Sequence, residues 1–504
     1  MRLLLVLLAT AGMAATVSAQ SNSVPSRSLS LDESIQMAVE HNFDVQIERY
    51  NPRLSLYSLR ASYAGYDPLF SVSGQHDFSL SGGGLDPVTK LPSPPSQSDD
   101  NRFDSSVTGG LLPWGTTYNL SGNIQETYGF TPTSLGTNAF FDNTRGKASI
   151  TLSQPLLKNF WIDNTRLNIS VAKNRLKYSE QGLRRRLMDT IQLVERAYYD
   201  LIAARENVKV QEQALQLADR LLAENKRRVE VGALAPLDEK QAASQVAARR
   251  ADLQTAQAQL ATAQNTLKSR ISDQYRDLHD TDLDPTESLA SPLQIFNLQD
   301  SWGKGMTLRP ELLQAKLDLE RSGVQLRYDK NQLFPQLDLF GTYGHSAGGT
   351  AVEFSDGFDQ LRQGSQPSYT YGARLSVPLS NVGARNAYKS SKEALQQSLL
   401  IVKKTEQDIM VEIDNAVIAA RTSYERVGST REATLYAEAA LEAEQKKLEN
   451  GKSTSFVVLQ LQRDLTAARS AEISALADYN KSLADLARSE GSTLERRNID
   501  VNVK

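Results

Sequence analysis

The sequence predicts a mixed α and β protein. Short strands suited to a barrel wall lead into helices far too long for a globular domain. Three observations carry this: segments that alternate with period two, apolar stripes that step by three and four, and a duplication that repeats both along the chain.

Residues 1–19, MRLLLVLLATAGMAATVSA, place Arg2 before an apolar run and end on the small residues Val17-Ser18-Ala19. This pattern reads as a secretory signal peptide, with the mature chain starting at Gln20. Beyond it no apolar run is long enough for a transmembrane helix, so an exported chain of this kind is either soluble or a β-barrel. There is no cysteine, which removes disulfides, thiolate metal sites and a lipidated cysteine. The net charge of −3 over 504 residues gives no reason to expect a nucleic-acid partner.

The duplication is legible in landmarks. His41–Gly74 aligns with Leu308–Gly341, and the spacings Asn42 to Pro68 and Arg309 to Pro335 are both 26 positions. Each half then reaches a second landmark, SQPLLKN (Ser153–Asn159) and SVPLSNV (Ser376–Val382). From there Arg166 to Gly232 and Arg385 to Gly451 are both 66 positions.

Before each paired proline come alternating stretches. In YTYGARLSVPL, Tyr369, Tyr371, Ala373, Leu375, Val377 and Leu379 share one face, and Thr370, Gly372, Arg374 and Ser376 the other. PQLDLFGTYG (Pro335–Gly344), LFSVSGQHDFSL (Leu69–Leu80) and KASITLS (Lys147–Ser153) alternate too. Such strands fit a wall between lipid and a wet lumen. By period alone they fit a soluble sheet with one buried face equally well.

After each paired proline the period changes. Leu187, Ile191, Val194, Tyr198 and Leu201 form a heptad-like stripe, and Ile409, Ile413, Val417, Ala420, Tyr424 and Val427 form its counterpart. No proline falls between Pro155 and Pro236 or after Pro378. A helix of about 65 residues spans roughly 100 Å, which points to a coiled coil. The Ala- and Gln-rich run after Pro236 suits close helix approach.

The halves differ in one place: Pro68 to Pro155 is 87 positions, while Pro335 to Pro378 is 43. The surplus holds a Gly/Pro/Ser-rich stretch, SGGGLDPVTKLPSPPSQSDD, which reads as a mobile surface loop. It also holds a hairpin pattern, Ser105–Gln125, which could be an extracellular elaboration or could add strands to the wall; the former is favoured.

Sequence signals of chemistry are weak. Gly451-Lys452-Ser453-Thr454 looks like the tail of a phosphate-binding loop, but position 446 is Lys where a glycine is required, and the approach is helical in character. It occupies the place that EVGALAPL (Glu230–Leu237) holds in the first half, so it reads as a helix-hairpin tip. His41, His76, His279 and His345 lie far apart in unrelated contexts, with no metal-ligand spacing. No cofactor or catalytic constellation is expected.

With these landmarks in order, the sequence resembles the outer-membrane efflux protein family, the TolC-like channels. SLDESIQMAVEHNFDVQI (Ser30–Ile47) is similar to the family's opening helix, although Phe43 stands where the family usually has proline; LRPEL in the second half keeps it. QPLLKN and VPLSNV are similar to the strand-to-helix junctions, RVEVGALAPLDEKQA (Arg228–Ala242) to the helix-tip motif, and LENGKSTSFVVLQLQ more loosely to the second tip. The resemblance implies a homotrimer whose chains each give four strands to one shared transmembrane barrel in outer-membrane lipid. Their helices would form a periplasmic coiled-coil tunnel. It also implies a periplasmic adaptor, an inner-membrane transporter, and no chemistry on the cargo.

The expected organisation is a signal peptide over 1–19, a first repeat over 20–290 with a loop insertion at 81–145 and a tip at 231–237, a second repeat over 291–490 with strands at 335–379 and a tip at 450–455, and a tail over 491–504. The expected adaptor contacts are Val231, Gly232, Ala233, Leu234, Ala235 and Pro236 with Gly451, Lys452, Ser453 and Thr454. The resemblance places acidic gate candidates at Glu438 and Glu442, with Arg227, Arg228 and Arg431 as the nearest basic groups. A solvated helix face with pairs such as Glu442–Lys446 competes with that gate. A structural coiled-coil protein without transport competes with the channel, but a rod has no use for the alternating strands.

Overall fold

The computed structural model describes residues 26–500 except 86–89, 91, 93, 112–113, 134–136, 233, 349–352 and 365, so the expected signal peptide and Ala233 lie outside the described residues. In chain order the first half contains β1 (Ser26–Leu29), α1 (Leu31–His41), α2 (Phe43–Ser62), β2 (Leu69–Ser81), β3 (Ser96–Leu111), β4 (Thr116–Pro132), β5 (Asn138–Pro155), α3 (Asn164–Glu230), α4 (Pro236–Ile271), α5 (Tyr275–Leu278) and β6 (Asp282–Pro285). The second contains α6 (Leu298–Leu308), α7 (Pro310–Asn331), β7 (Gln336–Ala347), α8 (Phe354–Gln363), β8 (Pro367–Ser376), α9 (Val382–Glu449) and α10 (Ser455–Glu490). The duplication reappears in helix lengths: α3 and α9 have 67 and 68 residues, and α4 and α10 have 36 each.

The chain divides into two compact units, and each draws on both halves of the sequence. The first comprises Met1–Phe43, Thr190–Ile295 and Ile418–Asp485. Its parallel pair β1–β6 is short, and buries Leu29 and Leu283. Tyr198 is 0% exposed, and its hydroxyl proton is shared between Leu29 O, at 2.9 Å, and the Glu287 carboxylate. Glu287 also accepts from the Leu31 N–H at 3.0 Å, so a carboxylate held by a buried phenol satisfies the first N–H of α1. Ser30 caps the same helix, its Oγ accepting from Glu33 N at 3.1 Å. At Asn42, where no proline follows, the helix still breaks: its backbone is extended and its Nδ2 donates to Arg270 O at 2.9 Å. The predicted stripe residues Ile191, Val194, Tyr198, Leu201, Ala420 and Val427 are all buried in this unit.

The second unit comprises Asp44–Asp189, Phe296–Val417 and Leu486–Lys504. Its core joins Leu312 and Ala315 of α7 to Val402, Ile409, Ile413 and Val417 of α9 and Leu486 of α10, with Trp302 and Met306 of α6 against them. A Cβ on Gly305 would meet Ile413 Cδ1 at 2.5 Å, so the glycine lets α6 sit against α9 with the Ile413 side chain in its present position. Beside the core runs a buried ionic chain. Arg309 is 5% exposed and donates to Glu311, Glu412 and Ser489 O at 3.0, 2.8 and 3.0 Å. Arg488 donates to Glu311 at 2.6 Å and also to Asp189.

The same unit holds a six-stranded sheet in the order β2-β3-β4-β5-β7-β8, antiparallel throughout. The surplus of the first half, favoured from sequence as an extracellular elaboration within a loop insertion at 81–145, instead supplies β3 and β4 in the interior of this sheet. The hairpin is longer than Ser105–Gln125 suggested, with pairing from Leu111↔Thr116 out to Gln97↔Phe130. The part of the Gly/Pro/Ser-rich stretch from Ser96 onward is strand. The physical reason lies in the partners: the paired hairpin keeps one free ladder on each side, and β2 and β5 occupy them in full register. One chain thus presents six strands rather than the four the resemblance implied, with β2 and β8 as its edges.

Strand and helix meet through matching turns. Asn159 and Asn381 stand just past Pro155 and Pro378 and take positive φ, 67° and 42°. Asn is among the few L-residues that tolerate that conformation. Asn331 Oδ1 accepts from Asn159 N at 2.7 Å, and Asn381 Nδ2 donates to Leu333 O at 3.3 Å.

Candidate functional site

Each helix hairpin ends in a glycine turn. At the second tip Gly451 has φ +70°; its N–H donates to Leu448 O at 3.1 Å, and Lys452 N donates to Lys447 O at 2.8 Å. These are the two bonds of a Schellman stop. At the first tip Gly232 has φ +75°, with Gly232 N donating to Val229 O at 2.9 Å and Leu234 N to Arg228 O at 3.3 Å. Pro236 then opens α4 at a position where no helical N–H partner is needed. The first tip exposes an apolar surface, Val231 at 79% and Leu237 at 65%.

The phosphate-loop likeness of Gly451–Thr454 does not extend to structure. A helix, α9, leads in where a strand is required, and Ser453 Oγ donates back to Glu444 Oε1 at 2.5 Å. Ser455 starts α10 and donates to the buried Asn225 of α3 at 3.0 Å, which ties the second hairpin to the first just behind both turns.

The gate candidates sit among bases. Glu442 pairs with Lys446 at 2.7 Å, both side chains 68% exposed, and this hydrogen bond together with the lysine charge holds the carboxyl below its usual range. Glu444 is lowered in the same way by Lys447 and then Ser453. Glu438 accepts from Arg469 of α10 at 2.6 Å, and Arg469 also reaches Gln213 of α3 at 2.9 Å. Arg228 pairs with Glu224 one turn earlier, while Arg227 and Arg431 lie exposed on α3 and α9. The fold therefore joins Glu438 to a residue that sequence reading missed. Arg469 is 31 positions away, and only the antiparallel hairpin brings the two together.

The sheet has two chemically distinct faces. One cross-strand row runs Phe70, Val107, Leu120, Ile150, Tyr343, Tyr369, one residue from each strand. The next row, on the opposite face, runs Ser71, Ser106, Ser121, Ser149, Gly344, Ser368. Ser71–Ser106 and Ser121–Ser149 bond through their hydroxyls at 2.8 and 3.1 Å. Along this row the apolar face is open, with Phe70, Val72, Leu120, Ile150, Tyr343, Tyr369 and Tyr371 all exposed, while α8 covers the same face around Ile124 and Gly146. The polar face carries Asp100, which accepts from Gln125 at 2.7 Å and Thr127 at 3.2 Å, and the pair Arg102–Asp104 at 2.9 Å. Among the described residues no helix is long and apolar enough to cross a membrane, and no cluster of metal-ligating side chains occurs.

A sheet with an apolar row on one face and a hydroxyl-rich row on the other, in a chain that also carries glycine-tipped helical hairpins, fits an outer-membrane channel protein. The chain belongs to the outer membrane efflux protein family, whose model matches residues 123–271 and 306–492. It is 26% identical over 371 residues to the outer membrane protein TolC of Vibrio cholerae, covering 70% of this chain and 78% of that protein. It is 23% identical over 340 residues to the outer membrane efflux protein BepC of Brucella suis, covering 66% and 69%. Its fold is similar to the CmeC outer membrane channel of Campylobacter jejuni, with a TM-score of 0.65 at 15% identity, covering 92% of this chain and 86% of that one. The protein is thus an outer-membrane exit channel of efflux systems with a helical part in the periplasm, in a family of channels rather than enzymes.

Proposed function

We propose that this chain forms a homotrimer that conducts cargo passively from an inner-membrane transporter and a periplasmic adaptor across the outer membrane. The observation that carries the reading is the sheet itself. A band of its apolar face, running through Phe70, Leu120, Ile150, Tyr343 and Tyr369, is exposed in the chain, and its two edges carry unpaired ladders that lipid cannot satisfy. Copies that pair edge to edge satisfy the ladders, turn the apolar row to lipid and enclose the serine row around water.

The tips Val231–Pro236 and Gly451–Thr454 serve as the adaptor contact in this reading, because their glycine turns bring backbone and small apolar side chains to the end of the hairpins. Glu438 and Glu442, with Arg227, Arg228 and Arg431, stand as candidates for the gate between copies. The test is assembly followed by export. The detergent-extracted protein should cross-link to three chains, and Ala235→Glu should abolish export while trimers persist. A monodisperse monomer soluble without detergent overturns the assembly, and unchanged export in the variant overturns tip docking.

A further inference from the structure

The six strands of each chain have a consequence for the width of the exit. We infer that the trimer closes an eighteen-stranded wall, three copies of the six-stranded sheet, joined where β2 of one copy meets β8 of the next. The inference rests on the trimeric reading above and adds to it the composition of the wall.

Strand direction permits the seam. All five pairings within the chain are antiparallel, so with an even number of strands the two edges β2 and β8 run in opposite directions. A second copy laid against the edge then continues the antiparallel order without a break. Its occupant is specified by this: the edge of β8 fits β2 of an identical chain.

Face chemistry places β3 and β4 inside that wall. The apolar row passes through Val107 and Leu120 without interruption, and the serine row through Ser106 and Ser121. A hairpin folded away above the membrane has no need to keep an apolar residue in step with Phe70 and Ile150. A one-residue slip of either strand would carry its apolar side chains to the wet face, so this register is a property of the whole sheet.

The calibre follows. With strands about 4.8 Å apart and tilted by roughly 40°, eighteen of them close a ring about 36 Å across between backbones, and twelve close one of about 24 Å. After side chains are subtracted, the lumen is roughly 25 Å rather than roughly 15 Å. A lining of Ser, Thr, Asn and Gln keeps that space hydrated. The barrel therefore passes hydrated cargo as wide as a helical hairpin or a branched oligosaccharide, and any finer size selection belongs to another part of the assembly.

The experiment images the full-length protein in lipid nanodiscs by electron microscopy and counts strands in the wall, with chain stoichiometry measured by cross-linking on the same sample. Three chains with eighteen strands is the expected result. Three chains with twelve strands, β3 and β4 lying outside the wall, overturns this inference and leaves the channel reading standing. Any stoichiometry other than three overturns the reading beneath it. A second arm deletes residues 96–132, which removes β3 and β4 together and leaves β2 and β5 still opposed in direction. The deletion should lower the largest polymer that enters from the outer side by about two fifths in diameter, the ratio of the two lumens. An unchanged polymer cut-off in a trimeric, membrane-inserted deletion variant also overturns the inference.

Discussion

Replacing Glu311 by Gln keeps its shape and removes its charge from between two buried guanidinium groups. In the native chain Glu311 is 19% exposed and accepts from Arg488 at 2.6 Å and Arg309 at 3.0 Å, with Arg185 at 3.5 Å. Burial alone would raise its pKa, but the charges of Arg488 and then Arg309, with the hydrogen bond from Arg488, outweigh burial and hold the carboxyl below its ordinary value. Breaking a buried pair costs about 3–5 kcal/mol when the surviving charge is left alone. Here Arg488 retains Asp189 and Arg309 retains Glu412, so the cost should fall below that range, at about 2–3 kcal/mol. A depressed carboxyl pKa contributes stability that is fully present above the unfolded pKa and is lost as pH falls through the folded one. The gap between native and Glu311→Gln should therefore be full at neutral pH. It should close as acid protonates the native carboxyl and makes the two side chains alike. The assay is urea unfolding of the detergent-solubilised protein followed by helical circular dichroism, at neutral pH and at steps down to about pH 3. An unchanged midpoint at neutral pH, or a gap that does not narrow in acid, refutes the reasoning.

Other outcomes follow from single contacts. Tyr198→Phe removes a buried hydroxyl from Leu29 O and Glu287 and should cost about 1–3 kcal/mol in the same unfolding assay, since two acceptors lose their donor; a shift within error would mean that Glu287 finds another donor. Gly451→Ala places a Cβ at φ +70° and should destabilise by about 1–2 kcal/mol, while Gly383→Ala, in open space on α9, should not. Glu438→Ala combined with Glu442→Ala should lower cation selectivity and weaken block by trivalent cations in planar bilayers if these carboxylates form the gate ring. Parent-like selectivity and block would leave the Glu438–Arg469 and Glu442–Lys446 pairs as ordinary helix surface.

Much of this protein was determined by sequence alone, and the reason is that the signals are local. A stripe such as Ile191, Val194, Tyr198 and Leu201 fixes which face of a helix is buried because the helical period is a property of the backbone. Gly232 and Gly451 mark the turns because positive φ is costly for other residues. The alternation in Leu69–Leu80 and Tyr369–Leu379 sorts side chains onto two faces because the strand period is two.

Tertiary structure alone decided what those elements meet. Alternation tells which residues share a face but not which strand lies alongside, so the hairpin of β3 and β4 read as an elaboration until its ladders were seen filled by β2 and β5. The break after Asn42 needed no proline because a carbonyl 228 residues away accepts from its side chain. Glu438 read as part of an acidic face, but the hairpin returns Arg469 to it. In each case the deciding partner is distant along the chain, and a pattern confined to neighbouring residues carries no record of it.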